Sequence, residues 1–240
     1  MSIPIVEQII RELQKLSRSE RKAKIAEYLN TSSLDFMGVE LPNIHRIVKT
    51  IIKDLKLEDL PGVMEDLWKM EIFEVRLAAI DVLKVYAKKG SLETAMNLAD
   101  AWVGEGDTWG IIDPLCSPTI GSMLLREPSI DATLRTWQTS ENFWRRRASV
   151  LPYLYLSLKT HYKPEFNPRI LRAVTPHISD EEFFVVKAAG WVLRELSKRD
   201  PKVVVAYFKE NREKMSKLVI REGLKKLRSA GEFFNDFPFS

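Results

Sequence analysis

Phe183-Phe-Val-Val-Lys-Ala-Ala-Gly-Trp-Val-Leu-Arg-Glu-Leu-Ser-Lys198 is the stretch from which the fold is read. At about 100° per residue, Val185, Ala189, Val192 and Leu196 fall on one side of a helix, and Lys187, Trp191, Arg194 and Lys198 on the other. One side is a core stripe. The other holds an indole among three cations, where a side chain that large needs a partner. Two partners suit it: a neighbouring helix that packs on the ring, or an anionic ligand gripped by the flanking cations.

The same period runs outward through the chain in Ile5, Ile9, Leu13 and Leu16, in Ile44, Ile47, Ile51 and Leu55, and in Leu77, Ile80, Leu83 and Tyr86. Strand-like alternation is hard to find. Pro42 behind Leu41, Ser91 before Leu92, the Ser179-Asp-Glu-Glu182 capping box and Asp200 ahead of Pro201 read as helix starts, and Gly90, Gly104 and Gly106 as stops. These signals predict about a dozen helices of roughly 10–20 residues with short connections. The helices pair off at about 35–45 residues, the period of HEAT-like helical repeats. The expected fold is therefore all-α, a curved α-solenoid with a basic concave groove, forming a single domain over residues 1–230. Residues 231–240, GEFFNDFPFS, are left as an aromatic tail of unassigned role.

Composition agrees and narrows the function. Among 240 residues, 45% hydrophobic content supports a sizeable core, while 10 Gly and 12 Pro are too few for a turn-rich β protein. The one cysteine, Cys116, excludes an internal disulfide and any multi-cysteine metal site. There is no run of 18 apolar residues and no basic leader with an apolar stretch behind it, so the expected location is cytoplasmic, with no membrane partner. The formal charge of +4 is uneven: residues 1–140 carry 17 Lys+Arg against 21 Asp+Glu, and the remaining 100 carry 20 against 12. A basic C-terminal part suits a polyanion, or simply a solvated cationic surface.

Familiar catalytic signatures are missing. His45, His161 and His177 lie far apart, so no helix-borne metal pair exists, and Walker, Gly-x-Ser-x-Gly and Gly-x-Gly-x-x-Gly sequences are absent. Neither a metal nor an organic cofactor is expected. Trp109 and Asp113 are four residues apart and share a face if Asp107 caps a helix there, although Pro114 should end or kink it at Asp113. The plainer reading makes Trp109 a core residue and Asp113 a cap. In Phe143-Trp-Arg-Arg-Arg-Ala148, Arg147 lies nearest the apolar side marked by Leu151, Leu154 and Leu158, which points it inward, while Arg145 and Arg146 read as solvated.

Five stretches, Phe36-Met-Gly-Val-Glu-Leu-Pro42, Trp109-Gly-Ile-Ile-Asp113, Trp144-Arg-Arg-Arg-Ala148, Phe184 to Glu195 and Arg221-Glu-Gly-Leu-Lys-Lys-Leu227, together resemble the AlkD-type DNA alkylpurine glycosylases, a HEAT-like repeat family. Each is weak alone, but they follow one another in the family's order over nearly the whole chain. The resemblance implies excision of cationic N3- or N7-alkylated purines from duplex DNA without a base-binding pocket, by a monomer and with no cofactor. It assigns the catalytic carboxylate to Asp113, the active-site indoles to Trp109 and Trp191, the family's characteristic arginine to Arg147 and a DNA-contacting tyrosine to Tyr28. Arg46, Arg147, Lys187, Arg194 and Lys198 join Tyr28 as expected DNA contacts. Two departures stand out. Gly110 replaces an acidic residue, which suggests an altered substrate range, and His45 replaces a basic one, which suggests weaker phosphate contact. Within the same family, a non-catalytic binder of branched DNA is the alternative reading, and the repeat period by itself also permits a protein adaptor.

Overall fold

The computed structural model describes residues 2–229, and the aromatic tail lies outside them. Its helices are α1 (Ser2–Lys15), α2 (Ser19–Tyr28), α3 (Leu41–Ile52), α4 (Leu60–Trp68), α5 (Phe73–Tyr86), α6 (Leu92–Glu105), α7 (Trp109–Pro114), α8 (Gly121–Arg126), α9 (Asp131–Trp137), α10 (Phe143–Leu156), α11 (Asn167–Val174), α12 (Phe183–Ser197), α13 (Pro201–Asn211), α14 (Lys217–Gly223) and α15 (Lys225–Ser229). The chain is all-α, and among the described residues the only β-type pairing is a lone parallel bridge between Asp35 and Ile72. No described helix is long and apolar enough to cross a membrane. Contacts divide the chain into two compact units, residues 1–123 and residues 124 onward, a boundary the sequence reading did not draw.

In the first unit α1 packs on α3 and α4, and both of these pack on α5. α5 is buried nearly all round, from Phe73 through Val75, Leu77, Ile80, Val82 and Leu83 to Tyr86, as expected of an apolar helix at the centre of a stack. In the second unit α12 has the same place, between α10 and α14. Its predicted stripe of Val185, Ala189, Val192 and Leu196 is fully buried. Gly190 lets α14 approach, because a Cβ there would meet the Glu222 Cβ at 2.7 Å.

The repeat shows in long-range polar bonds, which recur at one spacing in sequence. Trp68 Nε1 donates to Glu105 (37 residues), Arg169 to Asp131 (38), Arg146 to Asp180 (34) and Asn167 to Asp200 (33). These bonds link successive helix pairs at 33–38 residues, so the period of the fold is near 36 residues. Predicted starts at Pro42, Ser91 and Asp200 hold, with the Ser91 and Asp200 side chains accepting from the amides of Thr94 and Val203. The capping box at Ser179 does not form. α12 begins behind Glu182, and Asp180 instead accepts the Glu182 amide while gripping Arg146.

Candidate nucleic-acid interface

Trp109 and Asp113 stand on one helix that runs from Trp109 to Arg126. Thr108, not Asp107, caps it, its hydroxyl accepting from the Gly110 amide at 3.3 Å. Asp107 is engaged elsewhere, by the hydroxyls of Ser32 and Ser33 and the Ser33 amide. The helix does not stop at Asp113, although its α-helical geometry ends at Pro114. Residues Leu115–Ile120 widen into a π-helical turn between α7 and α8, which contains Pro118 and directly follows Pro114. A wider turn accommodates two residues that lack an amide proton, and the Pro114 carbonyl accepts the Thr119 hydroxyl at 3.1 Å instead. Ile111, Ile112, Leu115 and Cys116 are fully buried, which leaves Trp109 and Asp113 half-buried on the opposite side of the helix.

Tyr28, the last residue of α2, is 71% exposed and meets the Trp109 ring edge-to-face, with centroids 5.2 Å apart at 88°. One indole face, one carboxylate and one phenol thus belong to a single neighbourhood of the first unit. Gly110 lies beside them but faces inward. A Cβ there would meet Leu29 Cδ1 at 2.9 Å and Phe73 Cε2 at 3.0 Å, so the side-chain direction at this position is closely lined by apolar atoms. Arg46 is exposed and donates to the Asn43 side chain at 2.9 Å. His45 is bound to Asp81 of α5, whose carboxyl is pushed upward by burial against the opposing pull of that imidazole.

The second unit holds the remaining expected residues. Arg147 is buried, as its position beside the apolar stripe predicted, and donates to the Phe184 carbonyl. Arg146 is not solvated: it grips Asp180 through two nitrogens and donates to the carbonyls of Ser140 and Glu141. Burial alone would raise the Asp180 carboxyl, but this guanidinium and the Glu182 amide hold it below its ordinary value. On α12 Lys187 is exposed, its Nζ 5.1 Å from the exposed Phe183 ring, and Trp191 is half-buried. The two C-terminal cations of that face differ from Lys187. Arg194 donates to the buried Glu222 at 2.9 Å and Lys198 pairs with Glu195, so carboxylates already engage both.

Sequence reasoning missed Glu74, buried on α5. Its carboxylate accepts the amides of Met37 at 2.8 Å, Gly38 at 2.7 Å and Val39 at 3.2 Å, and so fixes the loop that leads into α3. Gly38 has φ +78, and a Cβ there would strike the Arg18 carbonyl oxygen at 2.4 Å. The Phe36–Pro42 motif is thus a folded latch. A glutamate 36 residues beyond the glycine leaves no local sequence signal.

The model of a family described as "DNA alkylation repair enzyme" matches residues 9–227. Among solved structures, a predicted DNA alkylation repair enzyme from Enterococcus faecalis is 27% identical, with a TM-score of 0.75 over 88% of this chain and 96% of that one. AlkD2 from Streptococcus mutans is 18% identical, with a TM-score of 0.62 over 86% and 97% of the two chains, and smu.31 from Streptococcus mutans UA159 is 19% identical, with a TM-score of 0.62 over 77% and 92%. At those identities the last two share the fold alone. Comparison with curated proteins gives no match. With a family match from the first helix to the last described one, over helix pairs cross-linked at one-repeat intervals, this chain belongs to the DNA alkylation repair enzyme family.

Proposed function

We propose that the protein is a DNA glycosylase that hydrolyses the N-glycosidic bond of cationic N3- or N7-alkylated purines in duplex DNA. The observation that carries this reading is the half-buried Trp109–Asp113 pair, one helical turn apart, with the exposed Tyr28 ring against the indole. Alkylation at N3 or N7 makes the base a cation and hence a good leaving group. The C1′–N bond breaks heterolytically, its electron pair going to the departing neutral purine, and a sugar cation remains. Water adds at C1′ and gives up a proton, leaving an abasic site. Asp113 steadies the sugar cation and orients the water, a role whose loss elsewhere costs roughly 100–1000-fold in rate. The Trp109 face favours the cationic base by about 0.5–2 kcal/mol. In the second unit, Trp191 offers an aromatic face of the same kind, and Lys187 a cation for the DNA backbone. Arg147 is assigned a positioning role through Phe184.

Such chemistry needs no flipped-base pocket, because the substrate carries its own activation. The test is release of methylated purine from alkylated duplex DNA. Release by the wild type, lowered at least 100-fold in Asp113→Asn, supports the reading. Tight binding to branched DNA with no release from any alkylated duplex refutes it in favour of a silent binder.

A further inference from the structure

The first unit is acidic, yet one of its helices has a cationic face. Residues 1–123 contain 15 Lys+Arg and 19 Asp+Glu, a net charge of 15 − 19 = −4. α3 buries Ile44, Ile47, Val48 and Ile52. Its opposite side, His45, Arg46, Lys49, Thr50 and Lys53, lines a concavity of about 560 Å³. Among the described residues, few acids answer these cations. Lys49 has no carboxylate partner, Arg46 holds only the neutral Asn43, and Lys53 lies 3.7 Å from Asp54, with both of that pair largely exposed. Asp81 is taken by His45.

We infer that this face of α3 is a DNA-backbone site, with Lys49 and Lys53 as phosphate ligands beside Arg46 and with Thr50 as a neutral donor. The inference rests on the proposed action on DNA. At about 1.5 Å per residue, Arg46, Lys49 and Lys53 climb about 10 Å along the helix, comparable with the axial rise of roughly three base-pair steps of duplex DNA at 3.4 Å each. Phosphates carry no sequence information, so the site orients the duplex on the first unit without selecting bases. His45 is held by Asp81 and is not one of the ligands.

Binding of the full chain to an undamaged 25-base-pair duplex, followed by fluorescence anisotropy between 50 and 250 mM KCl, tests this. Each lost phosphate contact should reduce the slope of log K against log salt by about 0.9, so K49Q/K53Q should flatten it by about 1.8 and weaken binding at 100 mM by about tenfold or more. K88Q/K89Q, two exposed lysines beyond α5, should leave the slope unchanged. An unchanged slope in K49Q/K53Q, or an equal fall in both variants, would overturn the site while leaving DNA binding intact. A flat salt dependence in the wild type would overturn the DNA reading itself. Thermal melting of each variant within about 1 °C of wild type separates these outcomes from misfolding.

Discussion

Replacing Glu74 by Gln tests whether the latch before α3 is held by charge. The carboxylate accepts three backbone amides with both oxygens and is fully buried, and no cation pairs with it among the described residues. Glutamine keeps the shape but turns one acceptor into a donor. If its oxygen serves Gly38 and Val39, its NH2 faces the Met37 amide, leaving two buried donors opposed. Bonds to a charged acceptor contribute about 1.5–3 kcal/mol, and an unsatisfied buried donor costs about 1–3 kcal/mol. The expected loss is about 3–5 kcal/mol, which corresponds to roughly 6–20 °C in Tm for a chain of this size. The assay is thermal and urea unfolding, with hydrogen exchange at the Met37, Gly38 and Val39 amides. These amides should lose protection first. A Tm within 2 °C of wild type, with protection retained, would refute the argument.

Two further predictions concern buried groups. His177 is fully buried, bonded to Ser149 at 2.7 Å, and burial lowers its pKa from 6.5 to about 4. The unfolded chain therefore binds more protons between those values, so stability is fully present above pH 6.5 and declines as pH falls toward 4, by about 3 kcal/mol in all. Urea melts of wild type at pH 7 and pH 4.5 should differ by about 2–3 kcal/mol more than those of His177→Gln, and equal differences would contradict the assignment. Gly110→Glu should lose about 1–3 kcal/mol by overpacking against Leu29 and Phe73, and a stability equal to wild type would show that the side chain has open space.

Much of the scaffold was legible in the sequence because helical periodicity and caps are local. The stripe of α12, the inward Arg147, and the starts at Pro42, Ser91 and Asp200 all follow from neighbours within a few residues. What escaped depends on the next repeat. The Ser179 capping box does not form where its neighbour Asp180 is gripped by Arg146, 34 residues away in sequence, and Arg194 and Lys198 sit on the predicted face but are engaged by Glu222 and Glu195. The π-helical turn after Asp113 was missed for another reason: a proline locally signals an end, whereas the buried Ile111, Ile112, Leu115 and Ile120 favour continuation. Trp109 and Asp113 were selected by resemblance over spacing, since spacing alone favoured a core residue and a cap.

The central claim is that Asp113 steadies a sugar losing a charged purine. Single-turnover release of 7-methylguanine and 3-methyladenine from methylated duplex DNA tests it most directly. Wild type should release at least one of them, and Asp113→Asn, folded and still bound to the duplex, should do so at least 100-fold more slowly. Equal rates for the two proteins would contradict the claim.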